Sequence, residues 1–167
     1  MSRQEPLAQG VHHVAVSVPD IARAREFYID LLGAEELAQT EWEEGNVFIN
    51  EIVGLPDCSG RQFMARLGNA FIEVFEYLTP RSTAQDENRP VNRFGYTHFG
   101  LQVADIDLVY ARMVEAGIRF HCPPRHSGGE EAQDGRRQGF RSTYGRDFFG
   151  NVFELIEVGE NSAIPAL

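Results

Sequence analysis

Two kinds of hydrophobic spacing alternate along the chain, and they do so twice. Residues 12–18, His-His-Val-Ala-Val-Ser-Val, set an apolar residue at every second position, the period of a strand with one buried face. Pro19-Asp20 stops that run. Ile21, Ala24, Phe27, Tyr28, Leu31 and Leu32 then recur at helical spacing, with Asp20 placed to cap the helix start and Gly33 to end it. Residues 97–103, Thr-His-Phe-Gly-Leu-Gln-Val, alternate in the same way. They lead into Asp105, a helical series of Ile106, Val109, Tyr110 and Met113, and a terminating Gly117.

The two passages are copies set 85 residues apart: His13 falls on His98, Val18 on Val103, Asp20 on Asp105 and Ile21 on Ile106. A second echo links "FIEVFEYL" at 71–78 with "VFELIEVG" at 152–159, both carrying apolar-Glu-apolar-apolar-Glu. Further strands are predicted near 35–40, 47–52, 62–67 and 71–78, and near 118–121, 139–145 and 152–158. The chain therefore divides into a tail (1–9), a first module (10–80), a polar linker with proline (81–94), a second module (95–159) and a closing tail (160–167). Strand, helix, then strands in each module predicts an α+β fold. A repeat that occurs only twice points to two halves facing each other, not to a solenoid. The long polar stretch 122–139 reads as a loop covering a substrate or as a solvated insertion.

Strand alternation sorts the polar residues onto faces. His13, Ala15 and Ser17 share one face of the first strand; His12, Val14, Val16 and Val18 share the other, which is the core face. His98, Gly100 and Gln102 match the first set, and Phe99, Leu101 and Val103 the second. His12, whose counterpart is Thr97, is read as structural or partly exposed. Glu73 shares a face with Phe71, Phe75 and Tyr77, and Glu154 with Val152, Ile156 and Val158. A carboxylate among apolar side chains bears a desolvation cost that something must compensate. Glu76 and Glu157 point the other way and are expected to be solvated. One His and one Glu from each module, His13, Glu73, His98 and Glu154, form a donor set suited to one divalent metal per chain, with Fe(II), Ni, Co, Mn and Zn all compatible.

Bulk properties narrow the partners. A formal net charge of -10 gives no general field for nucleic acid or an anionic membrane. The basic residues gather between Arg125 and Arg146, where Arg136, Arg137 and Arg141 are candidates for holding a substrate phosphate or carboxylate. Two cysteines, Cys58 and Cys122, without CxxC spacing read as free thiols of a reducing compartment. The polar opening "MSRQEPLAQG" lacks a signal-peptide pattern and no apolar run reaches membrane-spanning length, so the cytoplasm is the expected location. A homodimer is the expected assembly.

At "HHVAVSVPDIARAREFYIDLLG", "IEVFEY", "THFGLQVADID" and "GRDFFGNVFELIEV" the chain resembles the vicinal oxygen chelate superfamily, also called the glyoxalase/bleomycin-resistance/dioxygenase superfamily. The likeness spans roughly residues 10–80 and 94–159. It implies paired βαβββ modules whose curved sheets enclose a metal site, with His13, Glu73, His98 and Glu154 at the ligand positions. "HHVAVSVPDI" is most similar to methylmalonyl-CoA epimerases and to related epimerases of cyclic polyol ketones. The implied chemistry is proton abstraction next to a carbonyl through a metal-stabilised enolate, with Glu73 and Glu154 as base and acid and a small carbonyl compound as substrate. Three other activities of the superfamily stay open: a glyoxalase I-type lyase, an Fe(II) extradiol-type dioxygenase, and a binding protein without catalysis. Ser17 and Tyr77 stand where bacterial glyoxalase I usually carries an Arg and an Asn.

Overall fold

The alternating run near the start of the chain forms β1 (His13–Ser17) in the computed structural model, which describes residues 7–127, 139–160 and 162–167. The chain divides into two units, Met1–Thr83 and Ala84–Leu167. In the first, β1 leads to α1 (Ile21–Arg25), whose path continues as a π-helical segment over Glu26–Leu31. There follow β2 (Glu35–Trp42), α2 (Val47–Val53), β3 (Ser59–Leu67) and β4 (Ala70–Thr79). The sheet order is β1-β4-β3-β2, with β1 parallel to β4 and the other neighbours antiparallel.

Along β4 the two faces differ as the alternation requires. Ile72, Val74 and Glu76 are buried, while Phe71, Glu73, Phe75 and Tyr77 are only half-buried. The buried face belongs to a core that includes Val18, Ile21, Ala24, Phe27, Tyr28 and Phe63. Full burial of an aliphatic or aromatic side chain contributes about 1.5–3 kcal/mol, so this face anchors the unit. The wider turns of the π-helical segment let the consecutive Phe27 and Tyr28 both enter the core, their ring centroids 4.9 Å apart.

In the second unit, β5 (Phe99–Gln102) and α3 (Ile106–Glu115) repeat the opening. They are followed by β6 (Arg119–Phe120), β7 (Arg125–His126), β8 (Phe140–Arg146) and β9 (Val152–Val158). The order is β5-β9-β8-β6, with β7 also paired to β8, and again the first strand lies parallel to the last. Met113, Ile118, Phe153 and Leu155 are buried there. Each unit is thus a helix against a mixed sheet, and the expected α+β class is what the chain adopts. Gly33 and Gly117 end the two helical stretches with φ of 74° and 85°, a region open to glycine at little cost.

Two expectations are overturned; a third, the loop over 122–139, falls mostly outside the described residues, and β7 forms within its described part. Residues 47–52 form helix α2, not a strand. The Asn46 side chain accepts from the Ile49 amide at 3.2 Å, and Gly54 closes the helix in the left-handed region with φ 68°. These two end groups outweigh the β propensity of Val47, Phe48 and Ile52, which stay exposed. Glu76 and Glu157 are not solvated: they are 8% and 5% exposed. Glu76 Oε2 accepts from the Ile21 amide at 3.1 Å and from Arg61 Nε at 2.8 Å; Glu157 Oε2 accepts from the Ile106 amide at 2.8 Å. Each carboxylate meets an amide at the start of its unit's helix, where donors lack intrahelical partners and the dipole favours negative charge. Asp20 and Asp105 satisfy neighbouring amides of the same turns.

Candidate metal centre

The open face of each sheet presents one histidine and one glutamate, with His13 exposed and Glu73, His98 and Glu154 half-buried. In the first unit β1 runs beside β4 so that Ala15 lies opposite Glu73 and His13 opposite Phe71. His13 Nε2 is 3.3 Å from Glu73 Oε2. In the second unit Gly100 lies opposite Glu154, and His98, just ahead of β5, places its Nε2 3.4 Å from Glu154 Oε2. The residue beside each glutamate is small. A Cβ added at Gly100 would lie 3.9 Å from Glu154 Oε2, in ordinary contact. Small neighbours leave the carboxylates within reach from the open side of the sheet.

The other nitrogen of each ring is also engaged. His13 Nδ1 is 3.0 Å from His12 Nδ1, and His98 Nδ1 is 2.9 Å from Thr97 Oγ1. Aromatic rings share the open face with each pair. Tyr144, opposite Glu154 on the neighbouring strand, lies 4.5 Å from the His98 ring, and its phenol pKa is raised by burial and by the Glu154 charge. On the first unit's face Phe75 and Tyr77 stack at 5.8 Å with Trp42 set edge-on to both. The Tyr77 phenol pKa is raised by burial, then by the Cys58 and Glu73 charges. Both phenols therefore remain neutral donors at neutral pH. His121, 6.0 Å from the Tyr144 ring, has its pKa lowered by burial and by Arg146.

Two donors about 2.1 Å from one ion stand about 3.0–3.4 Å apart at octahedral to tetrahedral angles. The observed separations of 3.3 and 3.4 Å fit that spacing. The donor types fit as well, since imidazole with carboxylate suits first-row divalent metals. Among the described residues no group of three or more His, Cys, Asp or Glu side chains is arranged to hold a metal; the site residues stand as two His–Glu pairs, one within each unit.

The arginine candidates fare differently. Arg136 and Arg137 lie outside the described residues. Arg141 is committed to a bidentate pair with Asp107 at 2.6 and 2.7 Å. Alternation places Phe75 and Tyr77 beside Glu73, whereas Tyr144 and Trp42 are not among the residues that the sequence pattern singles out. Tyr144 was detectable in principle, since β8 was predicted and any partner of Glu154 on it would share the open face. Trp42 reaches this face only through the register that sets it opposite Gly60, where a Cβ would stand 2.7 Å from the indole. Both cysteines are free, and no helix among the described residues is long and apolar enough to cross a membrane.

Two strand–helix–sheet repeats, each with a His–Glu pair on its open face, place the chain in a class of proteins built from paired modules of this kind. Residues 10–155 match the Glyoxalase/Bleomycin resistance protein/Dioxygenase superfamily, and the chain belongs to it. A 2-epi-5-epi-valiolone epimerase from Actinomyces sp is 34% identical over 161 residues, spanning 92% of this chain and 81% of that protein. The mitochondrial methylmalonyl-CoA epimerase of Bos taurus is 29% identical over 110 residues, 66% of this chain and 55% of that protein. Among solved structures, a glyoxalase family protein from Bacillus cereus superposes with a TM-score of 0.74 at 24% identity, covering 95% of this chain and 98% of its own. The fosfomycin resistance protein FosX of Listeria monocytogenes, solved with Mn(II) and sulfate, superposes with a TM-score of 0.57 at 16% identity over 90% of this chain and 93% of its own.

Proposed function

We propose that this protein is a divalent-metal-dependent epimerase acting on a small carbonyl compound, with His13, Glu73, His98 and Glu154 as the metal's ligands. The observation that carries the reading is the matched pair of His–Glu contacts, 3.3 and 3.4 Å, at repeat-equivalent positions beside small residues. The epimerase relative that matches 92% of the chain supports the reaction class. A bound divalent ion supplies Lewis-acid polarisation of the substrate carbonyl. Glu73 and Glu154 are the bases and acids within reach: one takes the proton from the carbon next to the carbonyl, and the other returns a proton to the opposite side. Tyr144, neutral at working pH, offers an O–H donor beside Glu154. The aromatic wall of Trp42, Phe75 and Tyr77 packs against the substrate's apolar edges and keeps water from Glu73.

The test is proton exchange. The protein is incubated with Mn(II) or Co(II) and 2-epi-5-epi-valiolone in D₂O, and the products are followed by NMR. Deuterium at the carbon next to the carbonyl, together with a second epimer, is the expected result, abolished by chelator. Glu73→Gln and Glu154→Gln should each slow exchange by about 10²–10⁴-fold. Failure to take up any divalent metal, or turnover that consumes O₂ and places no deuterium, overturns the reading.

A further inference from the structure

We infer that His12 and Thr97 are repeat-matched positioning residues that set which ring nitrogen of His13 and His98 faces the glutamate. The inference rests on the reading of those two histidines as ligands. Each positioning residue directly precedes its histidine, and the two are separated by the same 85 residues as the histidines themselves. Each ring shows the same division of labour: Nδ1 turns back to the preceding side chain at 3.0 or 2.9 Å, and Nε2 turns forward to the carboxylate.

The residue types at 12 and 97 share a property that the site needs. A neutral imidazole carries one N–H and one lone pair. When Nε2–H donates to the carboxylate, Nδ1 holds the lone pair and needs a donor. When Nε2 offers its lone pair to a cation, Nδ1 carries the proton and needs an acceptor. A threonine hydroxyl serves both states by rotating. A neutral imidazole serves both by carrying its own proton on either nitrogen. The hydrogen bond to Nδ1 is therefore kept in either state, and the ring is held while its free nitrogen changes role.

His12 is itself held in place. Its ring stacks on Phe71 at 4.8 Å with an interplanar angle of 25°, and stands edge-on to His13 at 87°. That stack aims the Nδ1 edge at His13. It also accounts for the doubled histidine: the two rings share one hydrogen bond, and only His13 reaches Glu73.

The test uses His12→Phe, which keeps the stack and deletes the nitrogen, and Thr97→Val, which keeps the shape and deletes the hydroxyl. Thr97→Ser keeps the hydroxyl. Imidazole tautomers in the metal-free protein are read by long-range ¹H–¹⁵N NMR, and Co(II) affinity by competition with a chelator. In the parent, His13 and His98 should each show one dominant tautomer. His12→Phe should mix the tautomers of His13 alone, and Thr97→Val those of His98 alone. Co(II) affinity should fall about 10–100-fold in each, with Thr97→Ser near the parent value. Unchanged tautomers in both variants, or affinities within twofold of the parent in both, overturn the inference; a change in only one overturns the role of the other residue. A parent that takes up no Co(II) sinks the proposed function, and the tautomer spectra still decide the positioning role.

Discussion

Replacing Glu157 with alanine tests whether the repeat is built on its buried carboxylates as well as on its exposed pairs. Glu157 is 5% exposed and receives the Ile106 amide at 2.8 Å, at the start of the ten-residue helix α3. A hydrogen bond to a charged group is worth about 1.5–3 kcal/mol, and a carboxylate at a helix start adds about 0.3–1 kcal/mol. With the amide left unpaired away from water, the loss should be about 3 kcal/mol. At about 2–4 °C per kcal/mol for a chain of this size, the melting temperature should drop by roughly 6–12 °C. Glu157→Gln keeps a carbonyl acceptor and loses the charge, so it should cost about half as much. Glu115→Ala, an exposed position on the same helix, is the control and should shift melting by less than about 2 °C. Thermal unfolding by circular dichroism reads all three. Equal shifts for Glu157→Ala and Glu115→Ala would refute the capping role, and equal shifts for the Ala and Gln variants would refute the charge contribution.

The depressed pKa of His121 gives a pH signature. Protonation is harder in the folded than in the unfolded chain, so below about pH 6.5 the unfolded state binds more protons and stability falls as pH drops through the lowered folded value. His121→Phe should flatten that acid limb in denaturant titrations while leaving stability above pH 7 nearly unchanged. Gly60→Ala should destabilise the first unit by about 1–3 kcal/mol, because its Cβ would stand 2.6 Å from the Glu76 carbonyl oxygen and 2.7 Å from the indole of Trp42. Trp42 is the only tryptophan, so a shift in its fluorescence maximum should accompany the lost stability, and an unshifted spectrum would argue against the contact.

The amino-acid pattern by itself determined the repeat, the helix starts at Asp20 and Asp105, and the strand faces of His13, Glu73, His98 and Glu154. These follow from local rules: side chains alternate on a strand, and caps and glycines bound a helix, whatever the rest of the chain does. Residues 47–52 were misread because an apolar run of that length is compatible with either period, and the Asn46 and Gly54 end groups carried the deciding information. The fate of Glu76 and Glu157 belonged to the tertiary structure. Alternation set them opposite Glu73 and Glu154, on a face read as solvated, and only the packing of each helix start over its sheet buries that face and brings an amide to each carboxylate. The partners of the histidines were decided there too. Sequence alternation sent His12 to the valine face, and the fold turned its ring onto Phe71 and its Nδ1 toward His13. Side-chain rotation at a strand end is set by neighbours that arrive from β4, and no local rule specifies them.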